Sequence, residues 1–491
     1  MAVKPAEVDE NAVGRKKVRR DFIILCTICF TLFSGYGSVL VLQSSINIEG
    51  GIGVWSLMAT YLGGFLFNLF FTASVIRKFG ARKTMLVADL TYFLYCLVNF
   101  YPVPYLLIPA GLLVGFGEAC MWPTMMIFIA HFGDQYGKYS EKDGGYYTTQ
   151  LIGYFFTGLT FSQVFGNLLT WSILYAGVVS EPSNSTVDLS VCGINDCQDP
   201  NITAVNIGQY EPTNQATRYG TIGAMSGLVL ISVFVSQFLL PDMKSYSEDS
   251  KDEKSEDQDS KQEEKKSILT SVKMTFKHLI SVKQLLLTPL AVYVGLFQAY
   301  SYSEVTRAFV SCMRGVDQVT LTVIASNIVD GISSSIVGIV SAKYGRNVLF
   351  AIGFAINSGY FFFQLYWIPT PSTTWLIYIM AGADGIINSL LGVQTQDLHG
   401  AFFPKKREFA LSAVNMYNTL GWGILFASST SICVEKKVYI YLGLSIIAMV
   451  GYTIAYFLYR DELRHKKAEA EGEAEFTEEV HAESGTTTKL L

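Results

Sequence analysis

The stretch Leu228-Val229-Leu230-Ile231-Ser232-Val233-Phe234-Val235 puts apolar side chains at nearly every successive position. A strand of a membrane barrel alternates lipid-facing and lumen-facing residues with a period of two, and no such alternation exists here. A helix surrounded by hydrocarbon needs no polar face, because its backbone satisfies its own hydrogen bonds. The segment therefore reads as a membrane helix, and the rest of the chain has the same character. Of 491 residues, 50% are apolar and 14% aromatic, while only 16% are charged, against roughly 25% in an ordinary soluble domain. Mean hydropathy is +0.33. The charge gathers in the first 20 residues, in 241–283, in the last 32 residues and in short loops.

A span needs roughly 20 apolar residues to cross about 30 Å of hydrocarbon. Twelve such stretches are predicted. Six lie near 21–45, 54–76, 84–101, 104–130, 146–168 and 218–240; six more lie near 285–309, 319–341, 347–367, 373–395, 409–432 and 438–459. The fold class predicted is an all-α polytopic membrane protein in two six-helix halves, 21–240 and 285–459. A signal peptide is the rival reading of the start, since Arg15, Lys16, Lys17, Arg19 and Arg20 precede the first apolar run. That run is about 25 residues long and lacks a small-x-small cleavage site, so it reads as the first span.

Basic residues near span ends orient the bundle. Arg77, Lys78, Arg82, Lys83, Lys138, Lys142, Lys343, Arg346, Lys405, Lys406 and Arg407 all fall in even-numbered connections. Odd-numbered ones are nearly bare, with Arg314, Lys436 and Lys437 as exceptions. The basic N-terminus 1–20, the segment 241–284 and the acidic tail 460–491 are then cytoplasmic, in the plasma membrane or an endomembrane. The connection 169–217 falls on the other side, extracellular or luminal. It carries two glycosylation sequons, at Asn184 and Asn201, together with Cys192 and Cys197. In an oxidising lumen these two cysteines are expected to close a small loop on each other.

Residues 245–266 hold no aliphatic side chain and mix both charges, so they cannot bury enough apolar surface to offset the entropy of ordering. They read as a disordered linker between the halves. The following 267–283 reads either as a basic helix on the membrane surface, with Ile268, Leu269, Val272, Phe276, Leu279 and Ile280 opposite Lys273 and Lys277, or as an extension of the seventh span.

The halves also echo one another. Arg77-Lys78-Phe79-Gly80-Ala81-Arg82 follows the second span, and Ala342-Lys343-Tyr344-Gly345-Arg346 follows the eighth. Gly115-Phe116-Gly117-Glu118 in the fourth span corresponds to Ala381-Gly382-Ala383-Asp384 in the tenth. Twelve spans with a basic glycine turn after the second and eighth resemble the major facilitator superfamily, whose halves rock about a midplane site. More narrowly, the chain resembles the uncoordinated-ninety-three family, the ion-channel regulatory branch of that superfamily. The similarity lies in Tyr36-Gly37 with Leu42-Gln43-Ser44-Ser45, in residues 108–115 (IPAGLLVG), in Gln163-Val164-Phe165-Gly166-Asn167, in Ala308-Phe309-Val310-Ser311-Cys312, and in Asp384 followed by Gln394-Thr395-Gln396. The resemblance implies regulatory subunits of potassium channels or escorts of membrane receptors, with an integral membrane partner and surrounding lipids. Transporting members of the superfamily normally carry an acid just before the basic residue of the turn, where Arg77 and Ala342 stand. Its loss removes a charge used in closing the inner gate and weighs against transport.

A carboxylate at bilayer depth costs roughly 2.5–3.5 kcal/mol on insertion scales and usually faces inward. The candidates are Asp89, Glu118, Glu304, Asp330 and Asp384. By superfamily geometry Glu118, Glu304 and Asp384 face one aqueous cleft. Glu304 and Arg307 are three apart and share a helix face; Arg307 reads either as a cavity residue or as an interfacial cation that snorkels, with Glu304 as its partner. Asp330, with Asn327 a turn earlier, and Asp384 read as proton sites or as hydrogen-bonding glue between helices. Asp89 is expected to pair with Arg82 or Lys83. These acids keep a second function class open, proton-coupled transport of a small solute.

Phosphate-cradling glycine loops, paired-histidine zinc motifs and nucleophile elbows are absent from the sequence, and Cys26-Thr27-Ile28-Cys29 lies inside the first span. No catalytic residue, cofactor, metal or nucleic-acid partner is expected. The orientation carries a direct expectation: glycosidase treatment increases gel mobility, and joint Asn184→Gln and Asn201→Gln removes that shift. An accessibility assay that finds 169–217 in the cytoplasm overturns the assigned topology.

Overall fold

The computed structural model describes residues 10–140, 144–180, 187–197, 215–242, 277–344, 346–403 and 407–487. Asn184, Asn201, Gly345 and the linker 245–266 lie outside these residues, as does most of 267–283. The described chain is helical, with no strand among the described residues. The first part runs through α1 (Glu10–Ile46), α2 (Ile52–Phe70), α3 (Thr72–Phe79), α4 (Ala81–Val98), α5 (Pro104–Lys138), α6 (Gly144–Ser180) and α7 (Gln215–Phe238). The second runs through α8 (Val282–Tyr300), α9 (Val316–Tyr344), α10 (Arg346–Tyr366), α11 (Ile377–Ile387), α12 (Gln394–Phe402), α13 (Arg407–Ser429) and α14 (Val434–Thr487). The last helix carries the acidic tail as far as Thr487.

Each predicted stretch coincides with helix, and among the described residues eight helical segments are long and apolar enough to cross a membrane by length and composition. The others carry hydroxyl and amide side chains that turn back onto their own helix. Thr157 donates to the Gly153 carbonyl at 2.9 Å, Asn167 to that of Gln163 at 2.8 Å and Thr419 to that of Asn415 at 2.9 Å. Where hydrocarbon offers no partner, such bonds let polar residues sit at bilayer depth. Two departures from plain helix matter for the site. The turns widen to π-helix over Ser301–Ser311, directly after α8, and over Asn388–Val393, between α11 and α12.

Helix pairing depends on small residues. A Cβ on Gly115 of α5 would stand 2.1 Å from the Thr60 carbonyl of α2, and one on Gly295 of α8 would stand 2.1 Å from the Asn418 carbonyl of α13. Only glycine lets these backbones approach so closely. One apolar core is drawn wholly from residues between Val18 and Leu240. A second gathers residues from Leu287 to Ala455 and also takes in Val41, Leu42, Ile46, Val54, Tyr61 and Cys192. The second core thus draws in the C-terminal end of α1 and part of the loop before α7, so the two parts of the chain meet at that end.

Candidate functional site

The π segment Ser301–Ser311 places Glu304 and Arg307 at this shared end, and both are buried, with Arg307 only 1% exposed. The wide turns of π-helix are uncommon and frequently mark functional sites. Both Arg307 outer nitrogens are engaged. Nη1 donates to the two carboxylate oxygens of Asp196 at 2.7 Å, and Nη2 donates to Glu304 Oε2 at 2.7 Å. The other Glu304 oxygen accepts from Lys437 Nζ at 2.7 Å and from the Ser429 hydroxyl. Lys437 also donates to the Ser429 carbonyl at 2.9 Å. The Glu304 partner expected of Arg307 is present, and Asp196 encloses the guanidinium from the other side.

Asp196 comes from the segment 187–197, which caps this end. Two short 3₁₀ turns, Leu189–Val191 and Gly193–Asn195, fold it. Asp188 accepts from the Ser190 hydroxyl at 2.6 Å and from its amide at 2.9 Å, and these bonds hold its carboxyl below the usual range. That support is present above the ordinary Asp pKa and fades as the pH falls through the lowered one. Gly193, at φ +69°, lies against Phe309 and Met313. The expected Cys192–Cys197 bridge is not formed. Cys192 bonds Cys312, just past the π segment, and Cys197 bonds Cys433, just before α14. The intervening turn gives the two sulfurs different neighbours, and the Val434 amide donates to the Asp196 carbonyl at 2.9 Å. Ion pairs and disulfides thus fasten the same short loop to the second part of the chain.

Helix α1 closes on the same segment. The Ser44 hydroxyl donates to the Ser303 carbonyl at 3.2 Å, and the hydroxyls of Ser45 and Ser311 lie 2.9 Å apart. Nearby, Arg218 and Asn99 hold Asn47 at the end of α1, each at 2.8 Å.

Among the described residues, Asp384 and Asp330 have no basic partner. Asp384 accepts from Ser301 and, at 2.7 Å, from Ser326. Asp330 accepts from Asn388 at 2.9 Å and from Ser334 at 3.2 Å. The second π segment turns Asn388 toward both α8 and α9: Gln298 donates to Asn388 at 2.8 Å and accepts from Asn418 at 3.0 Å and Trp422 at 3.3 Å. A polar pocket opens beside this chain, between Gln298, Thr395, Gln396, Asn415 and Asn418. Asp89 is buried and accepts from Ser236, while Arg82 donates to the Gln237 carbonyl at 2.7 Å, so the expected Asp89–Arg82 pair is not formed. Glu118 sits on α5.

At the glycine turn, Gly80 links α3 to α4 at φ +79°, and Lys78 lies over the Phe79 ring at 5.5 Å. Arg77 falls on α3, Lys343 on α9 and Arg346 on α10. Sequence reasoning missed Asp196, Lys437, Cys312 and Cys433 as site residues. The signal for Lys437 was present in its failure to follow the charge rule for span ends.

Comparisons with known proteins agree with this architecture. The Major Facilitator Superfamily family model matches residues 313–488. Protein unc-93 homolog A of Danio rerio is 30% identical over 422 residues, which cover 86% of this chain and 88% of that protein. The "Putative potassium channel regulatory protein unc-93" of Caenorhabditis elegans is 25% identical over 443 residues, 89% of this chain and 61% of that one. The solved nucleoside transporter NupG superposes with a TM-score of 0.57 over 89% of this chain and 99% of its own, at 12% identity, a likeness of fold.

The buried network carries a stability expectation. Removing one partner of a buried ion pair leaves uncompensated charge and costs about 3–5 kcal/mol. Arg307→Met is therefore expected to lower the thermal stability of the purified protein strongly, and to lower it more than Arg82→Met, whose contact is exposed. Equal melting of the two variants contradicts the network as drawn.

Proposed function

The chain belongs to the UNC-93 family, and on that premise we propose that it is a regulatory or escorting subunit of another integral membrane protein, an ion channel foremost, and neither an enzyme nor a free-running carrier. The observation that carries this reading is the fastened loop. A carrier of this fold works by rocking its halves so that the central site opens to each side in turn. Here the end bearing the loop is held by two disulfides, a buried Arg307 between two carboxylates, and the contacts of α1 with the π segment. Opening that end would expose Glu304 and Asp196 and strip Arg307 of its partners. The altered glycine turns weigh the same way, since Arg77 and Ala342 stand where transporting relatives of the fold carry an acid. Disulfides also favour an oxidising compartment on this side, which supports a luminal or extracellular loop, cytoplasmic termini and glycosylation at Asn184 and Asn201.

Partner contact in this reading uses the lipid-facing flanks of the helices, where small residues permit close approach. The stretch 245–266 acts as a tether contributing reach. A second reading, proton-coupled transport of a small solute, is favoured by one observation: among the described residues, Asp330 and Asp384 are hydrogen-bonded by hydroxyl and amide groups and have no basic partner.

The deciding experiment is affinity capture from native membranes, followed by current recording on the channel recovered. Co-expression is expected to change the current, and the change is expected to survive Asp330→Asn, Asp384→Asn and deletion of 245–266. Loss of modulation together with loss of proton-driven solute uptake, in a carboxylate variant that still reaches the membrane, decides for the transporter.

A further inference from the structure

The fastened loop occupies one end of the bundle, and the pocket beside the Gln298 chain takes no part in it. Its walls come wholly from the second part of the chain. Ala291, Val294 and Gln298 lie three and four apart on α8 and so share a face. Thr395 and Gln396 stand at the start of α12, and Val414, Asn415 and Asn418 lie on α13. The space between them is about 300 Å³ including its open mouth. Gly392, in the second π segment, completes the wall. A Cβ at this position would stand 3.0 Å from Asn388 Oδ1 and 3.3 Å from Gln298 Nε2. Glycine thus leaves room against the two amides.

The direction of each amide in the chain is fixed from its ends. An indole N–H only donates, so Trp422 Nε1, at 3.3 Å, requires Gln298 to present Oε1 to it. Asn418 Nδ2 donates to the same oxygen at 3.0 Å. Gln298 Nε2 then faces Asn388 Oδ1 at 2.8 Å, and Asn388 Nδ2 faces Asp330 Oδ2 at 2.9 Å. A carboxylate oxygen accepts, so the far end of the chain agrees with the near one. Held in this way, Gln298 keeps a second N–H that the chain does not use, and Asn418 keeps its Oδ1. Thr395 Oγ1 gives its hydrogen to the Leu391 carbonyl at 2.5 Å and can still accept. Gln396 and Asn415 add two exposed amides that take no part in the chain. The pocket therefore offers hydrogen-bond donors and acceptors side by side, and among the described residues no charged side chain lines it.

We propose that this pocket binds a small neutral polyol. A hydroxyl both donates and accepts, so neighbouring hydroxyls on one carbon skeleton can satisfy an amide's N–H and C=O together. Ala291, Val294 and Val414 supply apolar surface for the C–H face of such a skeleton. An ionic ligand would lie at bilayer depth with no counter-charge in the pocket wall, which is costly. An aliphatic ligand would leave the amides unmatched, and a site built to hydrogen-bond a hydroxyl discriminates strongly against an analogue that lacks it. Because α8, the π segment, α12 and α13 all belong to one part of the chain, binding requires no rocking of the halves. The site is independent of whether the protein regulates or transports.

The test uses the purified full chain in lipid nanodiscs and radiolabelled erythritol, a four-carbon polyol, as the probe. Erythritol is expected to bind saturably and to be displaced by unlabelled erythritol. Erythronate, which carries a carboxylate on the same skeleton, and 1-butanol, which keeps one hydroxyl, are expected not to displace it at the same concentration. A neutral hydrogen bond is worth roughly twofold to tenfold in affinity. Joint Gln396→Leu and Asn415→Leu, at two exposed positions outside the amide chain, is therefore expected to weaken erythritol binding about tenfold. Gly392→Ala, which narrows the pocket from the opposite wall, is expected to weaken it as well. Absence of saturable erythritol binding to the unaltered protein overturns the proposal, as does unchanged affinity in the double variant. Displacement by erythronate or by 1-butanol as strong as that by erythritol also overturns it. Should the variants fail to fold, the competition series on the unaltered chain still decides.

Discussion

Arg307 is the residue on which the closed end of this molecule depends. A guanidinium removed from water is tolerated only where carboxylates satisfy its fork of donors, and here one comes from its own turn and the other from a loop 111 residues away. Once Asp196 is committed to Arg307, the loop cannot leave without stranding a charge. Glu304 faces the same constraint from Lys437. The disulfides at Cys192 and Cys197 make the arrangement covalent on either side of Asp196. The electrostatic contact sets the register of the loop and the sulfur bonds retain it.

The membrane class and the positions of the helices were legible because apolar runs report burial in lipid directly, whatever the tertiary contacts. The Glu304–Arg307 pair was legible because a spacing of three on a helix guarantees proximity. Asp196 and Lys437 were not, since their partner lies far away in sequence and only folding brings them together. Lys437 looked like an ordinary interfacial cation that broke the orientation rule; its burial against Glu304 explains the exception. The cysteines misled for a related reason. Four residues between Cys192 and Cys197 suggest a local bridge, but spacing does not determine connectivity, and the turn at Gly193 serves to seat the loop on its neighbour. Asp330 shows what only folding supplies, because its partner Asn388 comes from the π segment that follows another helix.

Buried acids are held in two ways. Glu304 is neutralised by Arg307 and Lys437, whereas Asp89, Asp330 and Asp384 accept from hydroxyl and amide groups.

The most direct test of the held face is a distance measurement by pulsed electron spin resonance between labels at Tyr101 and Ile368. Both are exposed residues in connections on the loop side, one from each part of the chain. With the disulfides intact, the account predicts one narrow distance distribution that ligands and pH gradients leave unchanged. A second, longer distance appearing in the oxidised protein would show that this face opens and would contradict the account.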